Sequence, residues 1–285
     1  MVLVSVLIRN LNEANELNVC LKALQSQQVN FAFEILVVDN ESDDNSVEIA
    51  KSFGCRVAIL PRKEFTYGKA LNFGIERCNG KFILILSAHV FLLSDNFLQK
   101  AVAHFDDEKI AGLKFVIADS QSKVTYALLH KPVILSYSKE EDLDIDRIWM
   151  YGTVNSCAMI RRSVWEQIKY DENIFYSEDK VWAYQVVKAG YSIKANIPLF
   201  YLYYKKITRK QMLERRAKEE VAFMLVTGLP SKHYQFGFRG IKNDIYLLYS
   251  QIKGFTNRIN AHFKTKREIK KLLVGQKKSK LIDHF

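Results

Sequence analysis

Three short apolar runs in this chain each end in a cluster of small polar or acidic residues. Residues 2–8 run into Arg9-Asn10-Leu11-Asn12-Glu13, residues 35–38 into Asp39-Asn40-Glu41-Ser42, and residues 82–86 into Ser87-Ala88-His89. Runs of this length, β-branched-rich and mainly apolar, read as strands buried on both faces, as in a parallel sheet. Between them lie segments with helical spacing: Leu17, Leu21 and Leu24 in 13–24, Val47, Ile49 and Ala50 in 42–53, and Ala70, Leu71, Phe73 and Ile75 in 67–78. Ser42 and the aspartates after it suit an N-cap, and Asn79-Gly80 suits a helix stop. A further short strand is expected over 56–60, halted by Pro61. Right-handed strand–helix–strand units put the carboxyl ends of their strands on one edge, where open α/β sheets bind ligands. The three polar clusters are therefore expected to face one crevice, although any one of them would also serve as a plain loop or helix cap.

The pattern changes in the second third. Residues 114–117 and 156–160 read as strands without regular crossover helices, residues 139–147 as an acidic loop, 180–189 as a helix closed by Gly190, and 192–197 as another short strand. A long irregular connection inside a domain often serves as a substrate loop, and a solvated loop is the plainer alternative. The remainder is expected to be mainly helical, over 207–226 and then 241–252, with an amphipathic stripe in the latter. Phe255, Ile259 and Phe263 follow, then a lysine-rich stretch over 264–280. The boundary is placed near 205, giving a domain of residues 1–205 and a basic helical C-terminal region of residues 206–285.

Charge supports that division. The formal net charge is +11, yet residues 201–285 hold 20 Lys and Arg against 6 Asp and Glu, so the excess lies in the last stretch. A basic, amphipathic tail on a near-neutral body points to an anionic partner, here a membrane surface, with a helical cap packed on the first domain as the alternative. No run reaches the roughly 18 apolar residues that would span a bilayer. The N-terminus enters a strand at once, which predicts no secretory signal and a cytoplasmic chain, peripheral on a membrane. Cys20, Cys55, Cys78 and Cys157 form no CxxC pair. That argues against a zinc site or disulfide framework and for small core residues in a reducing compartment.

Neither GxGxxG after the first strand nor GxxxxGK[ST] occurs, so a nucleotide would be held by another device. Asp39, ending a strand, offers a carboxylate to a ribose or a base N–H. The segments Val4-Ser-Val-Leu-Ile-Arg-Asn-Leu-Asn-Glu13, Glu34-Ile-Leu-Val-Val-Asp-Asn-Glu-Ser42, Tyr67-Gly-Lys-Ala-Leu-Asn72, Ser87-Ala-His89 and Ser177-Glu-Asp179 occur in this order within residues 1–205. Together they resemble the inverting family 2 glycosyltransferases. That resemblance implies the GT-A fold, an α/β, Rossmann-like, mainly parallel mixed sheet flanked by helices, and a nucleotide-diphosphate sugar donor.

It also implies roles. Asn10, Asn12 and Glu13 would line the nucleotide pocket, and Asp39 would contact base or ribose. Gly68, Lys69 and Asn72 would close over the nucleotide, with Lys69 reaching a phosphate. Asp179 would be the general base that takes the acceptor hydroxyl's proton, and Glu178 would orient the acceptor or the base. The plainer reading of this acidic pair is a helix N-terminus. Ser87-Ala88-His89 departs from the family's usual Asp-x-Asp, and a bacterial subset resembling rhamnosyltransferases shares it. His89 would be either a single ligand of a divalent metal, Mn²⁺ or Mg²⁺ with imidazole favouring Mn²⁺, or a direct donor to the pyrophosphate. Trp182 would shape the acceptor site. Lys69, Arg161, Arg162, Arg215 and Arg216 are the candidate cations for the leaving diphosphate.

Gln211-Met-Leu-Glu-Arg-Arg216 resembles the Gln-x-x-Arg-Trp of processive members but lacks its Trp and spacing, which points to one sugar per encounter. The expected acceptor is a saccharide or lipid-linked saccharide of bacterial surface polysaccharide synthesis, capsule or O-antigen. Two other classes remain open. A sugar-nucleotide nucleotidyltransferase would want a Gly-rich basic loop after the first strand, where Arg9–Glu13 is not one. A nucleic-acid-binding protein would want a recognisable motif or an aromatic basic sheet face. Neither is visible, and no nucleic acid is expected as partner.

Overall fold

The computed structural model describes residues 2–137, 145–204 and 208–229. The chain divides into two units, Met1–Lys205 and Lys206–Phe285, each described by itself.

The first unit opens as the apolar runs dictate. Strand β1 (Val4–Asn10) leads to helix α1 (Ala14–Gln25), β2 (Phe33–Asp39), α2 (Ser46–Ser52), β3 (Arg56–Ile59), a single 3-10 turn (Arg62–Glu64), α3 (Tyr67–Ile75) and β4 (Phe82–Ser87). Then follow β5 (Val90–Leu92), α4 (Phe97–Ala103), β6 (Ile110–Ile117), α5 (Gln121–Leu129), β7 (Val133–Leu135), α6 (Ile145–Tyr151), β8 (Cys157–Arg161), α7 (Arg162–Gln167), α8 (Glu178–Lys188) and β9 (Ser192–Tyr203). Among the described residues nine strands form one sheet, in the order β3-β2-β1-β4-β8-β6-β9-β5, with β7 paired to β9. β3, β2, β1 and β4 are mutually parallel. β8 runs antiparallel between β4 and β6. The sheet is therefore mixed.

The register sets the crevice. Asn10 is level with Asp39, and Arg9 with Ser87, so the three polar clusters share one edge. Alternation along β1 splits its side chains between two faces. Val4, Val6 and Ile8 pack with Leu17, Leu21 and Leu24 of α1 in the main core. Leu7 points the other way, where a Cβ on Gly74 of α3 would lie 2.4 Å from its Cδ1. Helices α1 and α3 thus cover opposite faces, and Asn10 and Arg9 inherit that opposition. All four cysteines are free and buried, and burial pushes the Cys20 and Cys78 thiols up to about 12.

Several expectations are corrected. Helix α2 starts at Ser46 rather than Ser42, because the intervening polar residues bond elsewhere. Ser42 turns onto Asp39, Asn12 accepts from the Asp43 N–H, and Asp44 accepts from the N–H of Ala14 at the start of α1. Residues 145–147, expected as loop, begin α6; the rest of the acidic stretch through residue 144 lies outside the described residues. β9 runs on past residue 197 to Tyr203. Asn196 sits at φ +57°, and the pairing with β6 shifts there, so a bulge carries Pro198 within the strand.

In the second unit, α9 (Arg209–Thr227) is closed at its start by a reciprocal Thr208–Gln211 capping box and at its end by Gly228 in the left-handed region. Arg215–Glu219 at 2.6 Å and Arg216–Glu220 at 2.7 Å brace its surface. The expected helix over 241–252 and the lysine-rich stretch lie outside the described residues.

Candidate active site

At the β1–β2 end, Asp39 is buried (1 % exposed) and its carboxylate is a fixed acceptor. Oδ1 accepts from the Ser42 N–H at 2.8 Å, and Oδ2 from Ser42 Oγ at 2.6 Å and Asn10 Nδ2 at 2.8 Å. A carboxylate can only accept, so Asn10 must present its amide NH₂ to Asp39 and turn its carbonyl away. That carbonyl, Asn10 Oδ1, is buried with no partner. An orphaned buried acceptor is costly to leave unmade, and here it suits a ligand N–H or O–H. Asn12 stands beside it at φ +52°, with its own N–H on Ser42 Oγ at 2.9 Å.

The β4 end carries a second orphan. His89 Nδ1 lies 2.7 Å from Glu13 Oε2, and the ring meets Tyr203 edge-on at 4.6 Å. Its other nitrogen, Nε2, is buried and unpartnered. Glu13 therefore fixes the imidazole from behind, as carboxylates do behind metal-ligating histidines. The side chains here would offer a divalent ion one imidazole nitrogen, Nε2 of His89. Among the described residues no group of three His, Cys, Asp or Glu could enclose an ion. Ser87 sits at the same strand end, its N–H bound to Ser156 O at 3.1 Å.

Glu178 and Asp179 open α8, directly after Ser177 at φ +65°. A non-glycine residue held there stores backbone strain, which concentrates at functional positions. Asn155 binds both carboxylates. Its N–H reaches Asp179 Oδ2 at 3.3 Å, and its Nδ2 reaches Glu178 Oε1 at 3.3 Å. Its Oδ1 accepts from Tyr170 at 3.3 Å and its carbonyl from Arg9 Nη2 at 2.9 Å. Burial, and then the neighbouring Asp179 charge, raise the Glu178 carboxyl to about 7, against the pull of Arg9 and Asn155. Asp179 is partly exposed while Glu178 is buried, so of the two carboxylates Asp179 is the one open to solvent.

Other expected residues fall elsewhere. Asn72 is buried and fully spent: Nδ2 donates to Tyr170 O and Glu172 Oε1, and Oδ1 accepts from Trp165 Nε1 and the Tyr170 N–H. With both amide hydrogens and both lone pairs in use, it tethers the 170–172 segment rather than a nucleotide. Gly68 shares that task, since a Cβ there would stand 2.0 Å from Asp171 O. Lys69 Nζ is paired with Glu64 at 2.8 Å.

Trp182 is fully buried, donates to Ile168 O at 2.7 Å and stacks on Tyr170, so it is a core residue and not an acceptor wall. Arg161 is excluded by register. It pairs with Phe82 at the start of β4, the edge opposite the crevice, and donates to Ile110 O and Asp107 O. Arg162 lies at that edge too, with its N–H on Lys81 O. Arg215 and Arg216 belong to the second unit. Arg9 and Asn155 were missed; the one available signal was an arginine near the end of a mainly apolar strand.

Residues 5–169 match the model of Glycosyl transferase family 2. The chain belongs to that family. It is 24% identical over 176 residues to the O-antigen chain rhamnosyltransferase WbaN of Salmonella anatum, covering 59% of this chain and 55% of WbaN. It is 23% identical over 246 residues to a dolichyl N-acetyl-alpha-D-glucosaminyl phosphate 3-beta-D-2,3-diacetamido-2,3-dideoxy-beta-D-glucuronosyltransferase of Methanococcus voltae, covering 79% of this chain and 73% of that one. The match to WbaN thus spans about half that relative's length. The mannosyltransferase PcManGT from Pyrobaculum calidifontis, solved with GDP-Man and Mn²⁺, superposes with a TM-score of 0.62 at 16% identity, over 92% of this chain and 73% of that one. The fold is GT-A.

Proposed function

We propose that this chain is an inverting, non-processive glycosyltransferase. It moves one hexosyl or deoxyhexosyl unit from a nucleotide-diphosphate sugar to a hydroxyl of a saccharide or lipid-linked saccharide, in surface polysaccharide synthesis. The observation that carries this reading is the convergence, on one sheet edge, of three orphaned polar atoms, Arg9 Nε among them, and a carboxylate pair. Asn10 Oδ1 and His89 Nε2 await a ligand, and Asp179 stands ready as a base. The names of WbaN and of the dolichyl-phosphate-sugar enzyme support a sugar donor and a lipid-linked acceptor.

The chemistry follows from the site. Asp179, oriented by the Asn155 and Lys180 N–H groups, takes the acceptor hydroxyl's proton. The acceptor oxygen forms its bond to the anomeric carbon from the face opposite the nucleotide. The bond to the diphosphate breaks, and configuration inverts. Such a base is worth about 10²–10⁴-fold. Asn10, Asn12 and Asp39 hold the nucleoside, and Glu13 holds His89. His89 would hold a divalent ion together with donor phosphate oxygens, and that ion would supply positive charge to the leaving diphosphate. Among the described residues no helix is long and apolar enough to cross a membrane. A peripheral position on the inner face of a bacterial membrane, through the basic residues of 206–285, completes the reading.

A thermal-shift panel of nucleoside diphosphates and sugar nucleotides, each with Mn²⁺ and with EDTA, tests it. Binding to the native state raises the melting temperature by linkage. A shift for one nucleotide supports the transferase, and its loss in EDTA makes His89 a metal ligand. No shift with any nucleotide overturns the reading.

A further inference from the structure

Three aromatic rings, from the start of α3 and from the loop that leads into α8, gather outside the main core. Phe65 and Tyr67 flank Thr66, the N-cap of α3, and Phe175 lies four residues before Asp179. Phe65 and Tyr67 meet edge-on at 5.1 Å, and each meets Phe175 edge-on at 6.3 Å. Tyr176 extends the cluster at 5.6 Å from Phe175. Yet Phe175 remains 52 % exposed. Phe65, Tyr67 and Tyr176 are half-buried around it, so the cluster presents an aromatic face to solvent, and exposed apolar surface of this kind commonly marks a binding surface.

The patch is held rigidly. Thr66 Oγ1 donates to Glu172 O at 2.9 Å, Asn72 binds Tyr170 O and Glu172, and Gly68 lets the α3 backbone close on Asp171. The two segments are locked to each other. The patch is also coupled to the carboxylates. The Arg9 guanidinium lies 5.3 Å from the Tyr67 ring centre and donates to Asn155 O, and the Asn155 N–H holds Asp179. Arg9 and Asn10 are adjacent on β1 and therefore point to opposite faces. The orphaned Asn10 Oδ1 and the aromatic rings thus lie on different sides of the strand. The nucleoside end is accounted for on one side, and the rings stand with the base on the other.

We propose that Phe65, Tyr67 and Phe175 form a stacking subsite for a pyranose ring of the acceptor, which presents its apolar C–H face to the rings and a hydroxyl to Asp179. This rests on the glycosyltransferase reading and deepens it: the acceptor is a saccharide recognised by a ring face, not a simple alcohol or a protein hydroxyl. Aromatic walls with a few fixed polar groups are the usual make-up of a small-molecule site.

The test uses saturation-transfer difference NMR on the full chain. The probes are methyl α-D-mannopyranoside, methyl α-L-rhamnopyranoside and methyl β-D-glucopyranoside, each with UDP, GDP or dTDP present. Ring C–H protons of at least one glycoside should receive saturation. Phe175→Ala and Phe65→Ala should weaken its binding roughly five-fold, what losing about 40 Å² of buried apolar face would give. Phe175→Leu keeps apolar bulk and removes the flat ring face, so it should also weaken binding, by less than Phe175→Ala, with an unchanged melting temperature. Calorimetric affinity for the nucleotide should be unaffected in all three. Undiminished saturation in the Phe65→Ala, Phe175→Ala double variant overturns the subsite, as does the absence of any glycoside signal from protein that binds a nucleotide. A loss of nucleotide affinity in Phe175→Ala overturns it in favour of base stacking. Failure of the unaltered chain to bind any nucleotide overturns the transferase reading and the subsite with it.

Discussion

Asn155 holds Asp179 by its backbone and not by its side chain: the N–H lies 3.3 Å from Asp179 Oδ2, while the side-chain amide serves Glu178 and Tyr170. The two functions can therefore be separated by mutation. Asn155→Ala keeps the grip on Asp179 and strips the buried Glu178 of its amide donor. Leaving such a group unsatisfied costs about 1–3 kcal/mol. The expected result is a lower melting temperature with donor affinity unchanged and kcat reduced about ten-fold or less. A loss as large as that of removing Asp179 itself would show that the side chain, not the backbone, orients the base.

Asp179→Asn removes the proton acceptor and little volume. Transfer should fall by about 10²–10⁴-fold while nucleotide binding, read by thermal shift, stays as in the unaltered chain. Normal turnover by this variant would rule out Asp179 as the base.

Glu178 makes a prediction about pH. Its carboxyl is raised from the usual 4.5 to about 7 by burial and by Asp179. Between those values the folded chain binds a proton that the unfolded chain has released. Stability from this group is thus full below about pH 4.5, falls as pH rises towards 7, and is level above. Glu178→Gln removes the titration and keeps an acceptor for Asn155 Nδ2. The melting temperature of the variant should fall less between pH 4.5 and 7 than that of the unaltered chain, and the variant should be the more stable of the two at pH 8. Parallel pH curves would refute the buried-acid assignment.

How much of this was legible in the sequence depends on the kind of signal. The three strand ends were readable because apolar runs stopped by Asn10, Asp39 and Ser87 announce both burial and edge. Strands of three residues, such as Val90–Leu92 and Val133–Leu135, carry too few positions for alternation to show. The second half of β9 was hidden by Pro198, which reads as a strand end unless the bulge is known. Arg161 was misplaced for a physical reason. It closes a strand as Asp39 does, but β8 is antiparallel, so its carboxyl end faces the other edge, and strand direction is not written in composition. Asn155 lies in an unremarkable loop and is defined only by what folding brings to it.

Gly68 tests the packing that positions the second loop. Glycine to alanine inside a helix normally gains about 1 kcal/mol. Here the added Cβ would sit 2.0 Å from the Asp171 carbonyl, a backbone atom that cannot swing aside. Overpacking should win, at about 1–3 kcal/mol destabilising. Gly68→Ala is therefore expected to lower the melting temperature and, by displacing the 170–177 segment, to weaken acceptor use more than donor binding. A stabilised Gly68→Ala would mean that the two segments are not in contact.

His89 and Glu13 form the pair whose consequences reach furthest into mechanism. Because Glu13 Oε2 lies 2.7 Å from Nδ1, the ring nitrogen left for a ligand is Nε2, buried and unpartnered. If Nδ1 carries the hydrogen in a neutral ring, Nε2 offers a lone pair to a cation. If both nitrogens are protonated, Nε2 donates to a phosphate oxygen. In either case His89→Ala should weaken binding of the donor diphosphate. Glu13→Gln separates the two. Removing the carboxylate behind a ligating histidine typically costs about 10–100-fold in metal affinity, so the Mn²⁺ concentration needed for half-maximal activity should rise by that factor. A direct donor to the phosphate would instead lose the partner that holds its ring, and donor affinity would fall equally with Mn²⁺ and with EDTA. Isothermal titration of the nucleotide into Glu13→Gln, with Mn²⁺ and with EDTA, distinguishes the two outcomes. Unchanged binding under both conditions would show that neither residue touches the donor.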